Sequence, residues 1–271
     1  MKAKYIITVI FIFSAMITGT TIVHAENPPP GTREEVLNYS SGGVACTGFV
    51  AYDGKKPGKR AVIVVIPEWW GLNDYTRMRA RKLAELGYLA VVLDMFGGGK
   101  NASVPAEAQQ LTAPFYKDPL QGRSVYDAAL KEIKKLPLAD TGNIAAIGYC
   151  FGGFIALNIA KSGADLKGVV SFHGGLGGTP ADRERLNARI LVCNGASDQF
   201  ISQEEISDFK HQMDSIGADY TFKSYAGATH SFTNPDATNL GRKFNLPIEY
   251  SATADKDSWN DMTVFFKQIF K

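Results

Sequence analysis

Apolar and polar positions along the chain follow two periods that succeed each other in a regular order. Short apolar runs typical of buried strands occur at 62–66, 89–93, 144–147, 168–172, 189–193 and 219–225. Segments with apolar residues at helical spacing lie between or after them, at 74–86, 123–135, 151–162, 203–216 and 257–270. This alternation predicts an α/β fold with a mostly parallel central sheet and helices on both faces.

Two segments lie outside this alternation. The stretch from Glu35 to Tyr52 predicts one or two antiparallel strands at the edge of the sheet. The stretch from Asp94 to Leu120 is a longer connection, with a glycine triplet at 97–99 and a short helix near 105–115. Because no internal repeat or linker interrupts the chain, residues 26–271 are predicted to form a single domain.

The first 25 residues have the pattern of a secretory signal peptide. Lys2 and Lys4 precede an almost wholly apolar run at 5–16, and Val23-His24-Ala25 provides a cleavage site. A retained anchor helix is the alternative, although small and polar residues at 18–21 break the apolar run. We therefore predict cleavage after Ala25 and a secreted or periplasmic location.

Charge and cysteine content narrow the class of partner. Without residues 1–25, which contain two lysines and no acidic residue, 27 basic residues balance 27 acidic ones. This balance favours neither nucleic acid nor a membrane surface as a partner, and the sequence indicates no protein partner.

The spacing of Cys46, Cys150 and Cys193 fits no metal site, and we predict no cofactor. An odd number of cysteines leaves at least one free thiol.

The most specific chemical motif is Gly148-Tyr149-Cys150-Phe151-Gly152-Gly153, at the junction of a predicted strand and helix. It has the G-x-nucleophile-x-G pattern of a strand-to-helix elbow, with cysteine as the nucleophile. The turn places the sulfur at a helix N-terminus, where the dipole favours the thiolate. A glycine-rich turn required only for packing is the alternative interpretation.

Two further residues follow the ends of later strands in the order that α/β-hydrolases use. Asp198 lies in the loop after the strand at 189–193, and His230 lies in the loop after the strand at 219–225. Alone, Asp198 has the ordinary interpretation of a helix cap, and His230 that of a surface histidine. With Cys150 they predict a nucleophile, a histidine that shares its proton and an acid that orients the histidine.

Glu68 is an unexpected charge at the mouth of the strand at 62–66, flanked by Trp69 and Trp70. A carboxylate in apolar surroundings is costly unless it is paired or has a chemical role. A surface ion pair is the alternative. The backbone N–H groups of Phe151 and Trp69 are the expected oxyanion donors.

Four motifs together resemble the dienelactone hydrolases, an α/β-hydrolase family. They are "IPEWWGLN", "GYCFGG", "GASD" and "GATHSF", and the likeness covers residues 35–271. The resemblance implies an α/β-hydrolase fold, cleavage of an ester or lactone through an acyl-enzyme, and a triad of Cys150, Asp198 and His230. It also implies that Glu68 contacts the cysteine and takes its proton when substrate displaces it.

The chain departs from this family at two positions. Lactone-cleaving members hold the substrate carboxylate with two arginines, and Gly98 and Asn234 stand here in their places. Lys100 offers a replacement charge, and Trp70 and His173 are further pocket candidates, although a hydrogen-bonded structural role is favoured for His173. The alternatives are a thiol-dependent carboxylesterase for uncharged or bulkier substrates, and a non-catalytic binding protein.

Overall fold

The apolar runs form the strands of one eight-stranded sheet in the computed structural model, which describes residues 30–270. The strands are β1 (Thr32–Ser41), β2 (Val44–Asp53), β3 (Arg60–Ile66), β4 (Leu89–Val92), β5 (Ala139–Tyr149), β6 (Gly168–Phe172), β7 (Arg189–Gly195) and β8 (Tyr220–Tyr225). Their order across the sheet is β1-β2-β4-β3-β5-β6-β7-β8. Only β1–β2 and β2–β4 pair antiparallel, so the predicted α/β-hydrolase arrangement, with an antiparallel edge, is confirmed.

Seven helices lie between or after these strands in the described part of the chain. They are α1 (Asp74–Glu85), α2 (Pro105–Lys117), α3 (Leu120–Ile133), α4 (Phe151–Lys161), α5 (Gln203–Ser215), α6 (Ala237–Phe244) and α7 (Ala252–Ile269). The sequence analysis did not predict α6, since this short helix buries only Ala237 and Gly241. It also placed the start of α7 too late, because the cap formed by Ser251 lies before the apolar residues begin.

The side chains of β3 show how the sheet separates two cores. Val62, Val64 and Ile66 pack into the layer that contains α3 and α4. Ile63 and Val65 point the other way, into the layer that contains α1 and α7. All five are fully buried, as the uninterrupted apolar run predicts for a strand covered on both faces.

The parallel strands bring five polar residues together at the carboxyl ends of the strands. Glu68, Cys150, His173, Asp198 and His230 each lie one to five residues beyond the end of β3, β5, β6, β7 or β8. The carboxyl ends of parallel strands are the usual place for a site in such folds. The fold therefore gathers residues that are up to 162 positions apart in the chain.

The predicted signal peptide lies outside the described residues. Between residues 30 and 270, no helix combines the length and the apolar character needed to cross a bilayer.

Candidate active site

Cys150 occupies a strained turn between β5 and α4. Its backbone has φ 53° and ψ −116°, a conformation that residues other than glycine rarely adopt. A Cβ on Gly148 would overlap the Gly152 carbonyl group, and a Cβ on Gly152 would overlap the carbonyl oxygen of Ile66. The glycines of the motif are thus required by close backbone contacts, and the turn leaves the cysteine side chain half-buried at the sheet edge.

His230 and Asp198 form a hydrogen-bonded pair beside the cysteine. His230 Nδ1 lies 2.8 Å from Asp198 Oδ2, and the Asp198 side chain is fully buried. The other carboxylate oxygen of Asp198 accepts a hydrogen bond of 2.8 Å from the N–H of Phe200. Asp198 therefore holds the ring of His230 in place. The order of the two residues along the chain predicts this pairing.

The charges around His230 favour its protonated form. Burial alone lowers the pKa of this imidazole, but the Cys150 thiolate and the Asp198 carboxylate outweigh burial and raise the pKa to about 10. Cys150 and His230 line the same cavity, with the sulfur and the imidazole beside each other. The charges around His230 therefore favour its imidazolium form.

Glu68 is fully buried and contacts a residue from the loop that follows His230. Its Oε2 accepts a hydrogen bond of 2.8 Å from Asn234 Nδ2, while Oε1 has no hydrogen-bond partner in residues 30–270. Burial raises the pKa of Glu68, and the hydrogen bond from Asn234 and the charge of His230 offset the rise in part. The position of Glu68 excludes a surface ion pair, and its raised pKa suits a group that accepts protons.

The backbone N–H groups of Phe151 and Trp69 are the predicted oxyanion donors. Phe151 is the first residue of α4, so its N–H has no acceptor within the helix. The N–H of Trp69 makes no hydrogen bond within residues 30–270. Both groups retain a free donor at the sheet edge, as an oxyanion site requires.

A cavity of about 100 Å³ opens beside the cysteine and the histidine. Its lining residues are Trp69, Cys150, Phe200, His230, Ser231, Leu246 and Ile248. Sites that enclose a drug-sized ligand usually measure ~300–1,000 Å³. This cavity therefore encloses one small apolar group, with the remainder of a larger ligand outside it.

The structure places the four other predicted pocket residues outside the lining of this cavity. Trp70 is buried and packs on Trp69, with ring centres 4.9 Å apart. Asn234 is buried against Glu68, and Lys100 is exposed to solvent. His173 is fully buried behind Cys150, which agrees with the hydrogen-bonded structural role favoured by its sequence context.

Sequence analysis missed four lining residues, Phe200, Ser231, Leu246 and Ile248. Phe200 and Ser231 lie within two residues of Asp198 and His230, so proximity in sequence was an available signal. Leu246 and Ile248 follow α6, where no periodic pattern marks a structural element. The backbone bridge between Ile248 and His230 is a long-range contact that brings this segment to the site.

Asp94 organises the loop after β4. Its carboxylate accepts hydrogen bonds of 2.9–3.3 Å from the N–H groups of Thr47, Phe96, Gly97 and Gly99. The three glycines at 97–99 all have positive φ, between 64° and 72°. The Asp94 carboxylate thus serves as the hub of a glycine-rich loop on one side of the site.

The sheet order and the elbow at its carboxyl edge define the chain as an α/β-hydrolase. The model of the dienelactone hydrolase family matches residues 47–270. The chain belongs to this family and is a hydrolase of the ester and lactone class.

Relatives support the same assignment over nearly their whole length. A dienelactone hydrolase-like promiscuous phosphotriesterase from metagenomic libraries is 34% identical, with a TM-score of 0.83, and the match covers 89% of this chain and 100% of that one. The solved structure named m3DLH gives the same values. Protein usf of Aquifex pyrophilus is 25% identical over 242 residues, which cover 86% of this chain and 98% of the relative.

Proposed function

We propose that this chain hydrolyses small, uncharged carboxylic esters or lactones through a covalent acyl-enzyme on Cys150. The observation that carries the proposal is the position of Cys150 in the strained turn, beside the His230–Asp198 pair and an apolar cavity. A binding protein without catalysis would have no need of the strained backbone, which costs ~1–3 kcal/mol. The non-catalytic alternative is therefore disfavoured.

Acylation begins with Glu68 as the carboxylate, Cys150 as the thiol and His230 as the imidazolium. Substrate draws Glu68 to the thiol and Glu68 takes its proton, while His230 stabilises the thiolate. The sulfur attacks the carbonyl carbon, and the N–H groups of Phe151 and Trp69 hold the negative oxygen. His230 then gives its proton to the departing alkoxide, and the acyl group remains on sulfur.

Deacylation restores each group to its starting state. Neutral His230 takes a proton from water, and the resulting hydroxide attacks the thioester carbon. The carboxylic acid product leaves, the sulfur departs as thiolate beside the His230 imidazolium, and Glu68 returns its proton to the sulfur. The raised pKa of Glu68 supports its role as proton acceptor, and the hydrogen bond between His230 and Asp198 supports the role of the histidine.

The preference for uncharged substrates follows from the residues around the cavity. No lysine or arginine is among its lining residues. Gly98 and Asn234 replace the two arginines, and the Asn234 amide is already engaged by Glu68. A substrate carboxylate would therefore lose its hydration without gaining a charged partner.

A panel of aromatic esters and enol-lactones tests the proposal with the chain from residue 26 onwards. We expect turnover of the uncharged substrates, complete loss after iodoacetamide treatment, and alkylation at Cys150 in peptide mass spectra. Intact mass after acid quenching should reveal the acyl adduct. Full activity in protein that is completely alkylated at Cys150 would exclude the proposal.

Phosphotriester hydrolysis is a second candidate reaction. The relative that is 34% identical is a promiscuous phosphotriesterase, and the cavity here has mostly apolar walls with no lysine, arginine, aspartate or glutamate in its lining, which suits a neutral triester. Attack of the Cys150 sulfur on phosphorus would expel an aryloxide. Release of p-nitrophenol from a diethyl p-nitrophenyl phosphate, abolished in Cys150→Ala, is the expected result.

We also propose that the working protein is exported without residues 1–25. The basic, apolar and small-residue regions of this segment support the proposal. Expression of the full chain with N-terminal sequencing of the secreted product should give Glu26 as the first residue. An intact N-terminus in membrane fractions would favour the anchor-helix alternative.

A further inference from the structure

A fully buried histidine lies between the two loops that carry Cys150 and His230. His173 follows β6 and has a positive φ of 42°, an uncommon conformation for a residue with a Cβ. Its N–H donates a hydrogen bond of 2.8 Å to the carbonyl oxygen of Cys193 in β7. A strained and buried polar residue needs compensating contacts. The hydrogen bonds of the His173 ring provide them and indicate what the residue does.

The ring of His173 makes one hydrogen bond to each of the two loops. Nδ1 accepts a hydrogen bond of 3.1 Å from the N–H of Cys150, which also donates to the carbonyl oxygen of Phe172 at 3.0 Å. Nε2 lies 2.8 Å from Thr233 Oγ1, three residues after His230. Because Nδ1 accepts, Nε2 carries the proton and donates it to Thr233. Burial, together with the charges of His230 and Arg79, lowers the pKa of His173, which agrees with this neutral tautomer.

Thr233 is itself anchored on the side away from His173. Its hydroxyl lies 2.6 Å from the hydroxyl of Tyr75, and its carbonyl oxygen accepts a hydrogen bond from Arg79. Arg79 in turn forms a buried ion pair of 2.6 Å with Asp255 of α7. The threonine is therefore held in place by α1 and α7. Its hydrogen bond to His173 in turn fixes the position of the histidine ring.

We propose that His173 is a positioning residue that joins the turn of Cys150 to the loop of His230 through Thr233, and so sets the sulfur at its working distance from the imidazole. The proposal rests on the proposed function, because it gives this distance a catalytic meaning. His173 is not among the residues that line the cavity. Its ring centre is 5.2 Å from that of His230, so a neutral form also avoids repulsion of the imidazolium.

Thr233→Val tests the connection because valine has nearly the same shape and no hydroxyl. We expect kcat per folded molecule to fall roughly 10- to 100-fold with KM within a factor of about three, since misplacing a reacting group costs turnover more than ground-state binding. The pH at which iodoacetamide alkylates Cys150 half-maximally should rise, because His230 then supports the thiolate less well. Thr233→Ser should restore both values to within a few-fold.

Thr112→Val is the matched control, because Thr112 is an equally buried threonine whose hydroxyl bonds only within α2. It should lower the melting temperature without moving kcat or the alkylation profile. Wild-type kcat and alkylation in Thr233→Val would overturn the proposal while leaving Cys150 as nucleophile. Full activity in Cys150→Ala would instead remove the proposed function.

A measurement on the unaltered protein covers the case in which Thr233→Val does not fold. The ¹⁵N chemical shifts of the histidine rings distinguish their tautomers, and the sequence contains only four histidines. The proposal requires a neutral His173 with the proton on Nε2 at pH 7. A proton on Nδ1, or an imidazolium, would break the bond to the Cys150 N–H and overturn the proposal.

Discussion

Cys150 and Cys193 lie almost level with each other in the sheet, yet their surroundings differ completely. Tyr149 and Cys193 both pair with Phe172 of the intervening strand β6, so Cys150 lies one residue beyond the level of Cys193. Cys193 is fully buried, and burial raises the pKa of its thiol to about 12. Cys150 is half-buried and lies at the N-terminus of α4, next to His230.

The reactivity expected of a cysteine here depends on its position at the strand end rather than on its residue type. One residue further along a strand is ~3.3 Å. That step moves a thiol from a core of apolar side chains to a helix N-terminus with a charged partner. A cysteine inside a strand behaves as a small apolar residue, whereas the proposed nucleophile lies in the turn at the helix N-terminus.

The largest expected effect is the loss of hydrolysis in Cys150→Ala. We expect at least a ~10⁴-fold fall in kcat/KM, because removal of a nucleophile disables the whole catalytic unit. Circular dichroism should show an intact fold, and Cys150→Ser should be poorly active because a hydroxyl demands a stronger base. An active Cys150→Ala with an inactive, folded Cys193→Ser would reverse the assignment of the two cysteines.

Removal of the partners of Cys150 should have the next largest effects. His230→Ala should lower kcat by about 10³- to 10⁴-fold, and Asp198→Asn should lower it less, because the amide still occupies the place of the carboxylate. In the double variant the losses should not multiply, since the residues act as a unit. Multiplicative losses in steady-state kinetics would show that the two side chains act independently.

Glu68→Gln should separate proton transfer from structure. We expect a fall in kcat of ~10²-fold with little change in KM, because the amide keeps the shape of the side chain but cannot accept the thiol proton. Asn234 can still donate to the amide oxygen, so the packing is preserved. Near-wild-type kcat would assign Glu68 a purely structural role.

The same variant should be more stable than the wild type at neutral pH. The folded-state pKa of Glu68 is raised above 4.5, so the stability contributed by its neutral form is present at lower pH and lost as pH rises through the folded-state value. The glutamine removes this loss, and we expect a melting temperature higher by ~2–4 °C, on the order of 1 kcal/mol. In thermal melts the difference should shrink as pH falls towards 4.5.

Cys193→Ser should have the smallest effect on activity. Rates should stay within a few-fold of wild type, since the thiol is protonated and lines no part of the cavity. The smaller and more polar serine should cost ~1 kcal/mol in stability, partly offset by a hydrogen bond from Tyr225, which lies 3.5 Å from the sulfur. A large loss of activity in folded protein would show that the two cysteines are coupled.

Sequence pattern was sufficient for the fold because four strands, β3, β4, β6 and β7, are almost wholly buried apolar runs. β3 and β4 have no exposed residue, and a run of this kind is distinguished from a surface strand by composition alone. By contrast, β8 alternates partly buried and exposed residues at the edge of the sheet, and its limits depended on the turns beside it. The helix α6 spans only eight residues, fewer than the window of about 11–18 residues over which helical periodicity is usually recognised.

The residues proposed for catalysis were predictable because strand ends and glycine motifs fix their place. The lining of the cavity was not, since Leu246 and Ile248 reach it through a long-range bridge to His230. Likewise, the partner of Glu68 is Asn234, a contact across 166 positions of sequence that no local pattern encodes. Local chemistry identifies the residues that react, whereas tertiary contacts decide which residues surround them.

The loop built around Asp94 also limits how this protein could change its substrates over evolutionary time. Gly98 holds the place of an arginine in the lactone-cleaving relatives, and the space around it is open. Its φ of 64°, however, is a left-handed conformation that costs residues with a side chain ~1–2 kcal/mol. A single mutation to arginine would thus gain a charge but strain the loop that presents it. The proposed preference for uncharged substrates would therefore be harder to reverse at Gly98 than at a position with ordinary backbone geometry.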